Sequence, residues 1–299
     1  MEPKRPVSAG LDFGPPGPHH GGMQIRTVLA LTNMDEESLV GLRAAQAIAH
    51  QHGANVVVGH VLVPRTLEHR ASLREFLDEN GFDFDPDHIE IEVDAAAVSG
   101  VNLLIEQRNP DLVVMSSSRT KGLARILNAS VTVGLIGSVE APVLALQANQ
   151  ELPTFKKVLV AVDGSEQSNR LFQAARALAE DDAEYIGLLV IEDSPLVIGG
   201  LDIGRFNKET LQEAREAGEK FLHRLQVDHS GISMHSEVRV GDAPDEILKA
   251  EEEHNPDLIV IGTGGIGGKA RFILGKVAQT IVGDAEGSVL AVPTHRTPT

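Results

Sequence analysis

Asn109-Pro110-Asp111-Leu112-Val113-Val114-Met115 returns as Asn255-Pro256-Asp257-Leu258-Ile259-Val260-Ile261, 146 residues later. The same offset carries Ala124-Arg125 onto Ala270-Arg271 and Val143-Leu144-Ala145 onto Val289-Leu290-Ala291. Upstream, Val28-Leu29-Ala30-Leu31 matches Leu159-Val160-Ala161-Val162 at an offset of 131, so the second copy holds an insertion of 15 residues between its first and fourth strands. Three matches in order at one offset mark an internal duplication. Its length of 299 residues suits two domains, each with its own core.

Each copy alternates β-branched runs with helical periodicity. In the second, Lys157–Val162, Ile186–Ile191, Met234–Val240, Leu258–Ile261 and Ser288–Val292 read as strands. Leu171, Ala174, Ala175 and Leu178 form one helical face; Leu211, Ala214, Gly218, Phe221, Leu222 and Leu225 form the stripe of a long helix before strand three. Gly241-Asp242-Ala243-Pro244 starts a further helix with Pro in its first turn. The first copy follows the same order through Thr27–Leu31, Val56–Val61, Ile89–Val93, Leu112–Met115 and Val143–Leu146. Continuous apolar strands separated by helices imply a parallel sheet covered on both faces. The expected organisation is an N-terminal arm rich in Pro, Gly and His without fixed structure (residues 1–23), a first domain (24–147), a short linker and a second domain (155–294). His19 and His20 belong to the solvated arm.

The net charge is −17, and acidic residues outnumber basic ones 18 to 11 in residues 1–150 and 25 to 15 in residues 151–299. Both halves therefore repel a polyanion, and nucleic acid is excluded as a partner. Aromatics at 3% with no Trp argue against base-stacking platforms. Cys is absent, there is no apolar run of membrane length and no signal peptide precedes the first strand, so a cytoplasmic protein is expected. No triad, carboxylate pair or His cluster with metal spacing stands out, and no catalytic or metal-ligating residue is assigned. His60 reads as a packed or capping histidine, His235 as an exposed strand position, and Glu251-Glu252-Glu253 as a solvated helix end.

Chemistry concentrates after strands one and four of the second copy, where an open parallel sheet binds ligands. Asp163-Gly164-Ser165 follows the first of these strands, and Gly262-Thr263-Gly264-Gly265-Ile266-Gly267-Gly268-Lys269 follows the other. Five glycines in eight residues let successive N–H groups curl round a phosphate, and the helix from about Gly275 adds its amino-terminal dipole. Gly262-x-Gly264-x-x-Gly267 fits the dinucleotide fingerprint, but it follows the wrong strand, and the next strand ends in Ala291-Val292-Pro293 rather than an acid. A Walker loop fails as well, because Thr263 stands where it needs glycine and Ala270 where it needs a hydroxyl.

The spacing Gly262-x2-Gly265-x9-Gly275, with the strand ending Val160-Ala161-Val162-Asp163-Gly164-Ser165, resembles the universal stress protein family across residues 24–294, as a tandem member. The resemblance implies two tandem open five-stranded parallel α/β sheets of order 3-2-1-4-5 with helices on both faces, an adenine-nucleotide alpha-hydrolase-like fold. It implies ATP, with magnesium or manganese on its phosphates, held by Ala161, Val162, Asp163, Val190, Gly262, Thr263, Gly264, Gly265, Gly275, Lys276 and Val277. Asp163 would bond the ribose or order the pocket floor, Ala161 and Val190 would flank the adenine, and Gly262, Gly265 and Gly275 would bring amides to the phosphates. The family has Ser or Thr after the last glycine. Here Lys276 stands there, able to pair with a phosphate as a point charge or to fill the space and remove a hydroxyl contact.

The first copy has Thr32 in place of Asp163, Ser116-Ser117-Ser118-Arg119 in place of Gly262–Gly265, and Ala129-Ser130 in place of Gly275-Lys276. It is expected not to bind ATP in the usual way. The family also implies pairing of the two domains through their fifth strands, Val143–Leu146 and Ser288–Val292, with the first domain as a built-in dimer partner. It leaves room for a homodimer of chains. The expected function is a stress-response protein with a regulatory ATP site; the alternatives are a nucleotide-free interaction scaffold and a slow ATP-hydrolysing enzyme.

Overall fold

The computed structural model describes residues 23–62, 73–84, 86–94, 97–117, 136, 139–147, 154–192, 197–198, 201–202, 208–264 and 274–294. The first half runs β1 (Thr27–Leu31), α1 (Leu39–His52), β2 (Asn55–Leu62), α2 (Leu73–Glu79), β3 (Ile89–Val93), α3 (Ala97–Arg108), β4 (Leu112–Ser117) and β5 (Val143–Gln147). The second runs β6 (Lys157–Val162), α4 (Ser168–Leu178), β7 (Glu184–Glu192), the short pair β8 (Val197–Ile198) and β9 (Leu201–Asp202), α5 (Lys208–Asp228), β10 (Ser233–Gly241), α6 (Ala243–His254), β11 (Leu258–Gly262), α7 (Lys276–Asp284) and β12 (Ser288–Val292). The extra length lies between the second and third strands of the second half, where α5 has 21 residues against 7 in α2.

Ten strands form one sheet in the order β10-β7-β6-β11-β12-β5-β4-β1-β2-β3, which is 3-2-1-4-5 twice, joined back to back. Every neighbouring pair is parallel except β12 with β5, which run antiparallel with Leu290 opposite Leu144. The period of two along each strand divides the core between the faces. Val158, Val160, Leu258 and Val260 belong to the core cluster that also holds residues of α1, α2, α4 and α5, while Leu159, Ile259 and Ile261 belong to the cluster on the other face, with residues of α3, α6 and α7. Helices therefore cover both faces, as right-handed crossovers require. Among the described residues no helix is long and apolar enough to cross a membrane.

The repeated Asn-Pro-Asp has a structural task. Asn109 and Asn255 end their helices in the left-handed region, at φ 41° and 47°. Two residues on, the Asp111 carboxylate accepts from the N–H groups of Arg26 (2.8 Å) and Thr27 (3.0 Å). Asp257 does the same for Lys156 (2.9 Å) and Lys157 (2.8 Å). Each aspartate thus fastens the entrance of strand four to that of strand one with charge-assisted bonds.

In the acid run at 251–253, Glu252 and Glu253 are exposed as expected, but Glu251 departs from expectation. Glu251 is buried, and its Oε1 accepts from Glu286 N (2.9 Å) and Gly287 N (2.8 Å). The turn before β12 points two N–H groups inward, and buried donors need an acceptor. Burial, and the charges of Glu286 and Glu252, raise the Glu251 carboxyl above its ordinary range against the pull of the two amides. On the neighbouring strand, Gln147 Nε2 reaches the carbonyls of Ala285 and Gly287, both at 3.5 Å, tying the first half to the same turn. The arm reaches the described residues only at Met23, whose N–H donates to Gln173 O (3.1 Å); the rest of it, and the linker at 148–153, lie outside them.

His229 couples this core to pH. Its ring stacks on Phe172 at 5.2 Å between centroids, and Nε2 lies 3.1 Å from Asn169 Oδ1. Burial, then the charge of Arg176, lowers its pKa below the usual 6.5, with Asp228 opposing. The unfolded chain therefore binds more protons than the folded one as pH falls through about 6.5, so this contribution is complete above that pH and is lost below it. The urea midpoint should drop between pH 7 and pH 5 more steeply in the unaltered chain than in His229→Gln. Equal slopes would contradict this.

Candidate functional site

β6 and β11 pair only as far as Val160 and Val260, although the strands continue to Val162 and Gly262. The sheet opens there, at the point where strand order reverses, and ligands of such folds bind in that crevice. Ala161 and Val190 lie half-buried against the core on the face of α3, α6 and α7, whereas Val162 is buried on the other face. Asp163 is exposed at the end of β6. Its Oδ1 accepts from Ser165 N at 3.0 Å, an Asx turn that Gly164 completes at φ 79°. Ala161, Val162, Asp163 and Val190 thus lie near the carboxyl ends of neighbouring strands, with Val162 on the opposite face of the sheet from Ala161 and Val190.

The start of the glycine loop is fixed by contacts that sequence spacing did not reveal. Thr263 N donates to Val292 O (2.9 Å), Gly275 N to Thr263 O (3.1 Å), and Gly264 N to Thr294 Oγ1 (2.9 Å). A Cβ at Gly262 would stand 2.9 Å from Thr294 Cγ2, so a side chain there forces Thr294 to shift. Gly265, along with the rest of 265–273, lies outside the described residues.

Past the loop, Gly275 is the N-cap of α7 and offers no side chain to its first turn. Val277 packs on the core. Lys276 turns outward and pairs with Asp242, Nζ to Oδ2 2.8 Å, both side chains being substantially exposed. That hydrogen bond raises the lysine and lowers the aspartate, and Glu192 and Asp245 add to the effect on Lys276. A phosphate would have to draw Lys276 from Asp242, which sits at the entrance to α6.

Two buried side-chain oxygens among the described residues have no hydrogen-bond partner, Thr263 Oγ1 and Ser168 Oγ. Thr263 follows β11 and Ser168 opens α4, which follows β6. One orphan hydroxyl thus stands on each segment leaving the crevice. Buried hydroxyls are ordinarily paired, so such a pair calls for an explanation.

At the corresponding place in the first half the polar groups answer one another. Thr32 is buried, its hydroxyl 2.8 Å from Ser38 Oγ and accepting from Met34 N (3.0 Å). Asp35 and Ser38 form a reciprocal capping box. Ser116 Oγ donates to Glu37 O at 2.7 Å, and His60 Nδ1 lies 2.7 Å from Thr32 O. His60 is thus a packed histidine fixed to strand one. Ser118, Arg119, Ala129 and Ser130 lie outside the described residues.

The sequence pattern of the universal stress protein family matches residues 24–147 and 154–293. A universal stress protein of Methanocaldococcus jannaschii is 31% identical over 141 residues, spanning 46% of this chain and 82% of its own length. Another, from Synechocystis, is 29% identical over 150 residues, spanning 46% and 97%. Among solved structures, a universal stress protein of Archaeoglobus fulgidus superposes with a TM-score of 0.59 at 19% identity over 91% of this chain and 99% of its own. A functionally unknown protein of Pseudomonas aeruginosa does so with a TM-score of 0.61 at 17% identity, over 91% and 94%. These likenesses speak for the two-domain fold.

Proposed function

The chain belongs to the universal stress protein family in its tandem form, and from that premise we propose that its second half alone binds an adenine nucleotide, as a regulatory site in a cytoplasmic stress-response protein. The observation that carries this reading is the contrast at the two crevices. Thr263 and Ser168 keep buried hydroxyls without partners, whereas the hydroxyls of Thr32 and Ser38 meet each other and that of Ser116 donates to the Glu37 carbonyl. Both hydroxyls of the second crevice are closed off from solvent, so a nucleotide would supply their missing partners only by displacing the groups that cover them.

In this reading Ala161 and Val190 flank the base and Asp163 takes the ribose hydroxyls. Thr263 and Gly264, held in place by Val292 and Thr294, set the direction of the loop whose amides, with Gly265 among them, face the phosphates. Gly275, Lys276 and Val277 present the amino end of α7 to the same anion. Magnesium or manganese would neutralise phosphate charge that the surrounding Glu192, Asp242 and Asp245 oppose. The first half serves as the fixed partner of a pairing that two separate chains would otherwise make through their fifth strands, and it hides both of those edges.

Native mass spectrometry of the purified chain tests the reading. An added mass equal to one adenine nucleotide, released on denaturation and re-formed on adding ATP, is expected. A chain that takes up no nucleotide at millimolar ATP would favour a scaffold without a ligand.

A further inference from the structure

Away from the crevice, the edge strand β10 and the end of α6 bring together metal-ligating side chains that lie far apart in sequence. His254 Nε2 stands 3.1 Å from Glu237 Oε2, and ligand atoms of Glu237, Glu253 and His254 all lie within 4.8 Å of one another. His235, two residues before Glu237 and so on the same face of the strand, has its ring 6.4 Å from that of His254. His235 is exposed and the other three are reachable from solvent, with side chains 24%, 59% and 28% exposed for Glu237, Glu253 and His254.

The geometry points to a divalent transition-metal site, of the zinc class, formed by His235, Glu237, Glu253 and His254. Two ligand atoms on one tetrahedral ion at about 2.0–2.1 Å stand about 3.3 Å apart, close to the present separation of His254 Nε2 and Glu237 Oε2. Two imidazoles on such an ion have centroids about 5 Å apart, which an exposed His235 reaches by a small side-chain rotation.

Arg239 supports this arrangement rather than filling it. It holds Glu237 through Oε1 alone, with Nε at 3.0 Å and Nη2 at 2.8 Å, leaving Oε2 turned to His254. Its Nη2 also holds Glu253 Oε2 at 2.5 Å. A guanidinium that fixes the far oxygen of a ligating carboxylate is an outer-shell orienting group. Two carboxylates against one arginine leave the cluster net negative, which favours a cation. Two imidazoles with carboxylates select zinc and its neighbours over magnesium or calcium, which prefer all-oxygen sites.

Zinc chloride titrated calorimetrically into the full chain, stripped of metal and nucleotide, should show one site with a dissociation constant on the order of 10 µM or tighter. The double variant His235→Gln with His254→Gln should weaken it by more than about tenfold while melting at the temperature of the metal-free parent. Cobalt(II) should give the parent a visible absorption band that the double variant lacks, a signature that a merely structural role for the histidines would not produce. Absence of zinc binding, or a double variant that binds as tightly as the parent and so places the ion elsewhere, overturns the assignment.

Discussion

Leu290→Asp is expected to remove at least about 4 kcal/mol of stability, the range reached when an unpaired charge is placed in a core. Leu290 is fully buried opposite Leu144, where the antiparallel seam joins the halves. Its neighbours belong to a core cluster that runs through both halves without interruption. His52 of α1 also reaches Ala177 O of α4 at 2.6 Å, bracing the halves over that face. The chain carries a single Tyr, Tyr185 on β7, and no Trp, so tyrosine fluorescence reports on the second half alone while circular dichroism reports on both. In the unaltered chain the two urea transitions should coincide. In Leu290→Asp both should move to lower urea and separate. A loss under about 1 kcal/mol, typical of surface substitutions, would mean that the seam does not bind the halves into one folding unit.

Gly262→Val is the second large effect. Its Cβ would already stand 2.9 Å from Thr294 Cγ2, and valine adds two further methyl groups. Thr294 must then move, and Gly264 N loses its acceptor at 2.9 Å. Overpacking of this kind costs about 1–3 kcal/mol, which the fold survives, but the loop loses its anchor. Nucleotide affinity should fall by at least about tenfold, since misplacement of about 1 Å already costs far more than that in positioned sites. The gentler pair Gly262→Ala with Thr294→Ser removes the obstructing methyl and keeps the hydroxyl, so it should recover affinity that Gly262→Ala alone loses. Unchanged ATP affinity in Gly262→Val would show that the loop's anchorage has no bearing on the ligand.

The fold was legible because its signals are local or repeated. The apolar period of two in β6 and β11, the helical stripe from Leu211 to Leu225 and the Asn-Pro-Asp repeat each lie within one segment. The repeat survives in both halves because Asp111 and Asp257 hold the same pair of strand entrances. What the sequence concealed is a set of contacts between residues about thirty positions apart. Thr294 meets Gly264, Lys276 meets Asp242 and Glu251 meets Gly287 across separations of 30, 34 and 36 residues. No spacing rule links such pairs, so Glu251 read as a solvated acid, and the contact of Thr294 with Gly264 went unseen. His235 and His254 escaped for the same reason, since strand and helix must pack before their rings approach. Thr32 was legible as a departure from Asp163, but not the closed hydroxyl cluster that it forms.

A calorimetric titration of ATP into the full chain with magnesium present is the most direct test of the claim that one crevice of the two takes nucleotide. One ATP per chain is expected, lost in Asp163→Ala and kept in Thr32→Ala, with both variants folded by circular dichroism. Two nucleotides per chain, a single one that survives Asp163→Ala, or no binding up to millimolar ATP would contradict it.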